Sequence, residues 1–250
     1  MSESKKKKVI FALPSTSGGP FRRKDGTRPT VKALEDSIPL VIDAGWDEGL
    51  AQEVGNPYIS GARAHMTRKA LDAGADVIVY IDHDLSWDPQ DILTLLNTPG
   101  DVVAGTYRFK RHDLEEYMGC IFSDADGRPL LRKDGCIKAE RVPAGFLKVT
   151  KEAIGRFMQA YPSLVYGPPW NPSIDLFNHG AHKGLWYGED YAFSRNWLDA
   201  GGQMWIVPNL NITHHGTWIN YAKDGETEDM TYPGNFHEFL LRQPGGSASS

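Results

Sequence analysis

Apolar residues in this chain follow two rhythms. Short continuous runs at residues 9–13, 77–81 and 101–107 are rich in Val and Ile, the pattern of strands covered on both faces. Between them, apolar positions recur every three or four residues, as on one face of a helix. Ala62, Met66, Ala70 and Ala73 mark such a face, and Gly74 stops it. Thr30 is expected to cap a helix reaching about Ile42, with Pro39 kinking or ending it. Asp88 is expected as the cap of a helix to about Leu96, with Pro89 first and Asp91 in the first turn. Thr150 caps another whose face is Ile154, Phe157, Met158 and Tyr161, ended by Pro162. A further helix opens around residues 186–190 and closes at Gly201. Residues 203–207 read as a last strand, and a short strand is expected near 52–54.

Two stretches break the alternation. Residues 117–142 read as a β-excursion around the turn-rich Asp124-Ala-Asp-Gly-Arg-Pro. Residues 166–178 read as a long loop carrying Pro168, Pro169, Trp170 and Pro172. The fold class that follows is α/β: a mixed, mostly parallel sheet flanked by helices, in one domain over residues 1–216. Residues 217–250 are expected as an extension packing near the site, their last residues disordered.

Composition changes this picture little. At 250 residues the chain can bury a full core, and 40 % hydrophobic with 24 % charged residues is ordinary for a globular protein. A net charge of −5 argues against broad binding to nucleic acid or anionic membrane. No apolar run is long enough to span a bilayer, and the run after the lysines at the start is short for a signal peptide. Two cysteines, Cys120 and Cys136, make no disulfide framework. A cytoplasmic setting is the expectation.

The candidate chemistry lies where the strand at 77–81 runs into Asp82-His83-Asp84. If the strand continues, Asp82 and Asp84 point the same way, giving two oxygen ligands for Mg²⁺ or Mn²⁺. A solvated turn with a helix cap would also account for the pair. Arg63 sits in a helix first turn, where the helix dipole disfavours a cation. The loop after strand one carries Arg22, Arg23, Lys24 and Arg28, able as a group to face phosphates. Glu189 and Asp190 open a helix, where two acids would simply complement the dipole. Either His214 or His215 could add an imidazole ligand, and adjacent residues of a strand point apart, so one of them serves.

Together these segments resemble the GT-A glycosyltransferases that use nucleotide sugars, most closely the family 2-like and phage- or virus-encoded members, over about residues 9–216. Ser60-Gly-Ala-Arg-Ala-His-Met-Thr is similar to that family's Ala-Arg-Asn helix start, with Ala64-His65 replacing the Asn. Ile81-Asp-His-Asp looks like its Asp-x-Asp motif, and Val142-Pro-Ala-Gly-Phe-Leu-Lys-Val its Gly-Gly-Phe-type loop. Gly188-Glu-Asp-Tyr is similar to its x-Glu-Asp motif, and Ile212-Thr-His-His-Gly to its closing metal-binding His.

The resemblance implies a divalent cation, Mn²⁺ or Mg²⁺, held by Asp82, Asp84 and His214 against the diphosphate of a nucleoside-diphosphate sugar, UDP-linked by preference. His215 stays open as the alternative ligand. It implies Asp190 as catalytic base, with Glu189 second, and Pro14, Ser15, Arg63 and Asp82 as donor-binding residues. Ala144 and Gly145 would let the donor sugar approach the backbone. The acceptor is not named by any motif: glycan, lipid-linked, small-molecule and modified-DNA acceptors are all open. Trp170, Trp186, Tyr187 and Trp218 are stacking candidates or packing residues. Alternative readings are a nucleotidyltransferase, for which Ser17-Gly-Gly-Pro-Phe-Arg-Arg is a poor signature, and a non-catalytic nucleotide- or carbohydrate-binding module.

Overall fold

The computed structural model describes residues 6–220 and 225–243. The elements in order are β1 (Lys8–Ser15), α1 (Pro29–Asp43), β2 (Asp47–Val54), α2 (Ile59–Asp72), β3 (Val77–Ile81), β4 (Leu85–Trp87) and α3 (Pro89–Asn97). Then come β5 (Val102–Gly105), β6 (Cys120–Ile121), β7 (Ile137–Arg141), β8 (Phe146–Thr150), α4 (Lys151–Ala160), β9 (Val165–Tyr166) and β10 (Ser173–Ile174). The chain continues through β11 (Gly180–His182), β12 (Leu185–Tyr187), α5 (Glu189–Asp199), β13 (Met204–Val207), β14 (Asn211–Asn220), β15 (Glu226–Asn235) and α6 (Phe236–Arg242).

Eight strands form one mixed sheet in the order β2-β1-β3-β8-β5-β13-β7-β6. β1 pairs parallel with β2 and β3, and β5 parallel with β13, while β8 runs antiparallel between β3 and β5. The carboxyl ends of β1, β3, β5 and β13 therefore share one edge, where open α/β sheets place their ligands. Alternation along the strands fills two cores. Val9, Phe11, Val79 and Ile81 pack with α1 and α3 on one face, and Ile10, Ala12, Ile78 and Tyr80 pack with α2, α4 and α5 on the other. All five residues of β3 are buried, and each contributes roughly 1.5–3 kcal/mol of apolar burial.

Several expectations need correction. α1 runs through Pro39 to Asp43: Pro39 and Glu35 are both exposed, so water can satisfy the carbonyl that the proline cannot bond. Thr30 lies inside α1, and its hydroxyl donates to the His83 carbonyl at 2.7 Å rather than capping. β2 is eight residues long, not a fragment near 52–54. The loop at 166–178 contains the short pair β9–β10. Residues 180–187 form the hairpin β11–β12, so α5 begins at Glu189.

Nor is 204–207 the last strand. β14 pairs with β4 on one side and β15 on the other, a second sheet of three strands. It runs unbroken across residue 216, the expected domain boundary. The expected disorder at the extreme end lies outside the described residues. No helix among the described residues is long and apolar enough to cross a membrane.

Candidate active site

Strand β3 ends at Ile81, and residues 82–85 turn, with the Leu85 N–H reaching the Asp82 carbonyl at 3.3 Å. The alternation rule therefore stops one residue short of the acidic pair. Asp82 and Asp84 enter two different networks instead of sharing one side.

Asp82 faces the sheet edge. Its backbone N–H donates to the Gly145 carbonyl at 2.9 Å, just beyond the Ile81–Phe146 pair of β3 and β8. Its Oδ1 accepts from Arg63 Nη2 at 2.8 Å, and its Oδ2 lies 3.4 Å from the Tyr107 hydroxyl. A Cβ at position 145 would overlap both that hydroxyl and the Asp82 carboxylate, which is why only glycine fits there. Ala144 beside it is buried.

Arg63, 2 % exposed, spans from Asp82 to Glu189 Oε1, which it reaches through Nη1 at 2.9 Å. Burial works against its charge, but the two carboxylates outweigh burial and keep the guanidinium charged. It also stacks over the Phe177 ring at 5.2 Å. Asp190 follows Glu189 at the start of α5. Burial first, then the neighbouring Glu189, pushes its carboxyl up to about 6. The helix N-terminus was expected to favour ionisation, and desolvation outweighs it. Pro14 and Ser15 close β1 at the same edge, both buried, with the Ser15 hydroxyl making no hydrogen bond.

Asp84 faces the second sheet. Pairing of His214 with Leu85, and of the His215 N–H with the Asp84 carbonyl at 2.8 Å, brings the histidine strand against the acidic turn. His214 Nδ1 sits 2.8 Å from the Arg108 carbonyl. A carbonyl only accepts, so Nδ1 carries a proton. Nε2, the nitrogen left free by that bond, faces Asp84 Oδ2 3.5 Å away. Lys110 donates to the same Oδ2. Burial acts to raise the Asp84 pKa, but His214 and Lys110 hold it well below the usual carboxylate range.

His215 points elsewhere. Arg23 donates toward its Nδ1 at 3.3 Å, Ser86 Oγ lies 2.8 Å from Nε2, and the ring stacks on Phe21. Burial, then Arg23, lowers its pKa to about 4, so it is neutral near pH 7. The basic loop is thereby folded onto the acidic turn, with the Phe21 N–H reaching the His83 carbonyl at 3.0 Å.

Among the described residues no group of three His, Cys, Asp or Glu side chains is gathered to hold a metal ion. Asp84 and His214 converge, whereas Asp82 is engaged by Arg63. Two protein donors beside Lys110 suit a hard divalent ion that completes its shell with phosphate oxygens and water. The residues thus fit such an ion arriving with its substrate. Lys110 and Tyr107 escaped the sequence reading. The one signal was their place just after a buried strand, at positions i and i+3.

No family model matches the chain, and no curated protein matches it. Solved structures do. A protein from STIV is 16 % identical, covering 88 % of this chain and 92 % of its own, with a TM-score of 0.47. The catalytic domain of Drosophila beta1,4-galactosyltransferase 7, in complex with xylobiose, is 15 % identical, covering 80 % and 64 %, with a TM-score of 0.41. GalNAc-T7 with UDP, GalNAc and Mn²⁺ is 12 % identical, covering 83 % and 43 %, with a TM-score of 0.44. The chain spans less than two thirds of the length of both transferase chains. Glycosyltransferases thus stand among the structures matched. At identities this low and TM-scores below 0.5, function has to be read from the site's own residues.

Proposed function

We propose that this chain is a metal-dependent glycosyltransferase that moves a sugar from a nucleoside-diphosphate sugar to an acceptor hydroxyl. One observation carries the reading: Asp84 and His214 meet at the carboxyl edge of the sheet, and buried Arg63 ties neighbouring Asp82 to the helix turn bearing Glu189 and Asp190.

In this reading Asp84 and His214 hold the divalent ion, with Asp82 beside them on its Arg63 brace. When bound, the ion stabilises the charge that develops on the diphosphate. Lys110 gives the diphosphate a cationic partner at the same place, and Arg23, on His215, is a further cation of the loop folded onto the turn. Pro14 and Ser15 line the nucleotide end, while the space over Gly145, expected for the sugar, is taken by the Tyr107 hydroxyl and the Asp82 carboxylate. Asp190 takes the proton from the acceptor hydroxyl as its oxygen bonds to the anomeric carbon and the bond from that carbon to the diphosphate breaks. Glu189, held by Arg63, positions the turn. A carboxyl titrating near 6 suits a base at neutral pH, since it is ionised yet still basic. Trp186, 74 % exposed in the hairpin leading into Glu189, offers a flat apolar face for an acceptor ring.

Calorimetric titration with UDP, GDP and CDP, each with Mn²⁺ and then with EDTA, tests the reading. Binding of one nucleotide that is lost in EDTA is expected. Absence of binding to all three by folded protein overturns it.

A further inference from the structure

Lys110 belongs to none of the motifs, yet the structure builds a seat for it. Its ammonium donates to Asp84 Oδ2, the same oxygen that His214 Nε2 faces at 3.5 Å. Its stem lies along Gly216 of β14. A Cβ there would stand 3.1 Å from Lys110 Cδ and 3.5 Å from Cε. The strand that carries His214 is therefore bare two residues further on, where the lysine stem passes. At 37 % side-chain exposure Lys110 is partly withdrawn from solvent, and Asp84, at 16 %, more so.

A cation held by Asp84 Oδ2 and a second cation on that oxygen repel each other. A bare divalent ion must displace the ammonium and finds only two converging protein donors, because Asp82 is engaged by Arg63. A diphosphate changes both terms. It brings oxygen ligands for the ion and an anionic partner for the displaced ammonium.

We propose that Lys110 is a tethered cation guarding Asp84: it makes uptake of the divalent ion conditional on the diphosphate, and then holds the diphosphate itself. The inference rests on the reading of this site as one for a metal-bound nucleoside diphosphate.

The test is calorimetry on the full chain with two probes, Mn²⁺ alone and inorganic pyrophosphate in the presence of Mn²⁺. Pyrophosphate removes any dependence on the nucleobase. Lys110→Met should bind Mn²⁺ alone about tenfold more tightly than the wild type and pyrophosphate with Mn²⁺ about tenfold more weakly. Shifts of opposite sign separate this role from structural damage, which weakens both. Lys110→Arg, which keeps the charge, should stay near the wild type for Mn²⁺. Gly216→Ala, which crowds the lysine stem, should move both affinities in the direction of Lys110→Met. Unchanged Mn²⁺ binding in Lys110→Met, or weakening of both probes, overturns the proposal. If UDP, GDP and CDP all fail to bind while the Mn²⁺ shift appears, the tethered cation stands and the transferase reading falls.

Discussion

Arg63 joins two carboxylates 107 residues apart in sequence, Asp82 and Glu189, from a fully buried position. Arg63→Met should lower stability by about 3 kcal/mol in chemical denaturation, because it leaves two half-buried carboxylates facing each other without a cation. Arg63→Lys should recover part of that stability but not the double contact, since an ammonium is a point donor and not a fork. Asp190 gives a pH prediction. Its folded pKa is raised to about 6, and in the proposed role it acts when ionised, so kcat/KM should fall about tenfold per unit below pH 6 and level off above it. A flat profile from pH 5 to pH 8 removes Asp190 as the base. The identities of these residues were legible as motifs. Their partners were not: an arginine expected in a helix first turn signals an unusual cation, though α2 opens earlier, at Ile59, and nothing near Arg63 in sequence names Glu189. The two aspartates misled most. Alternation holds within a strand, and the strand ends at Ile81.

At the scale of elements, caps and turns decide what the apolar rhythm leaves open. Thr150 performs as its sequence position suggests, its hydroxyl accepting from the Ala153 N–H at 3.1 Å, and Thr150→Ala should cost about 1 kcal/mol in denaturant unfolding. Asp88 does not. It stands at the N-cap of α3, but its carboxylate instead accepts from the Asn211 side chain at 2.9 Å, while Asp91 accepts from the Asn211 N–H at 2.8 Å. Burial above all, together with the charge of Asp88, raises the Asp91 pKa to about 6. A carboxyl that holds its proton more tightly when folded contributes stability at low pH that is lost as pH rises from about 4 to about 6. Asp91→Asn keeps an acceptor for the Asn211 N–H. It should flatten that slope and raise stability at pH 7 by up to about 2 kcal/mol, read from urea midpoints. This coupling of α3 to β14 had no local signature, because it spans 120 residues.

For the whole molecule, the periodic strands and helices were readable, and the order of strands was not. β13 inserts between β5 and β7, and β14 binds β4, through pairings set by long-range closure that leave no mark on short windows. The same closures place the basic loop, the acidic turn and β14 against one another. Adding Mn²⁺ with the nucleotide that binds should therefore slow amide exchange together in residues 16–28, 82–86 and 211–216, while β7 is unaffected. Slowing confined to one of the three segments would deny that they form one site. The acidic turn has a mechanical standing as well. Its first end is anchored in the eight-stranded sheet through β3, and its second in the three-stranded sheet through β4. The spacing of Asp82 from Asp84 is therefore fixed at the junction of the two sheets, with Asp82 next to β3 and Asp84 next to β4. A substitution that displaces β14 from β4 should accordingly disturb Asp84 and His214 before it disturbs the Arg63–Asp82 pair.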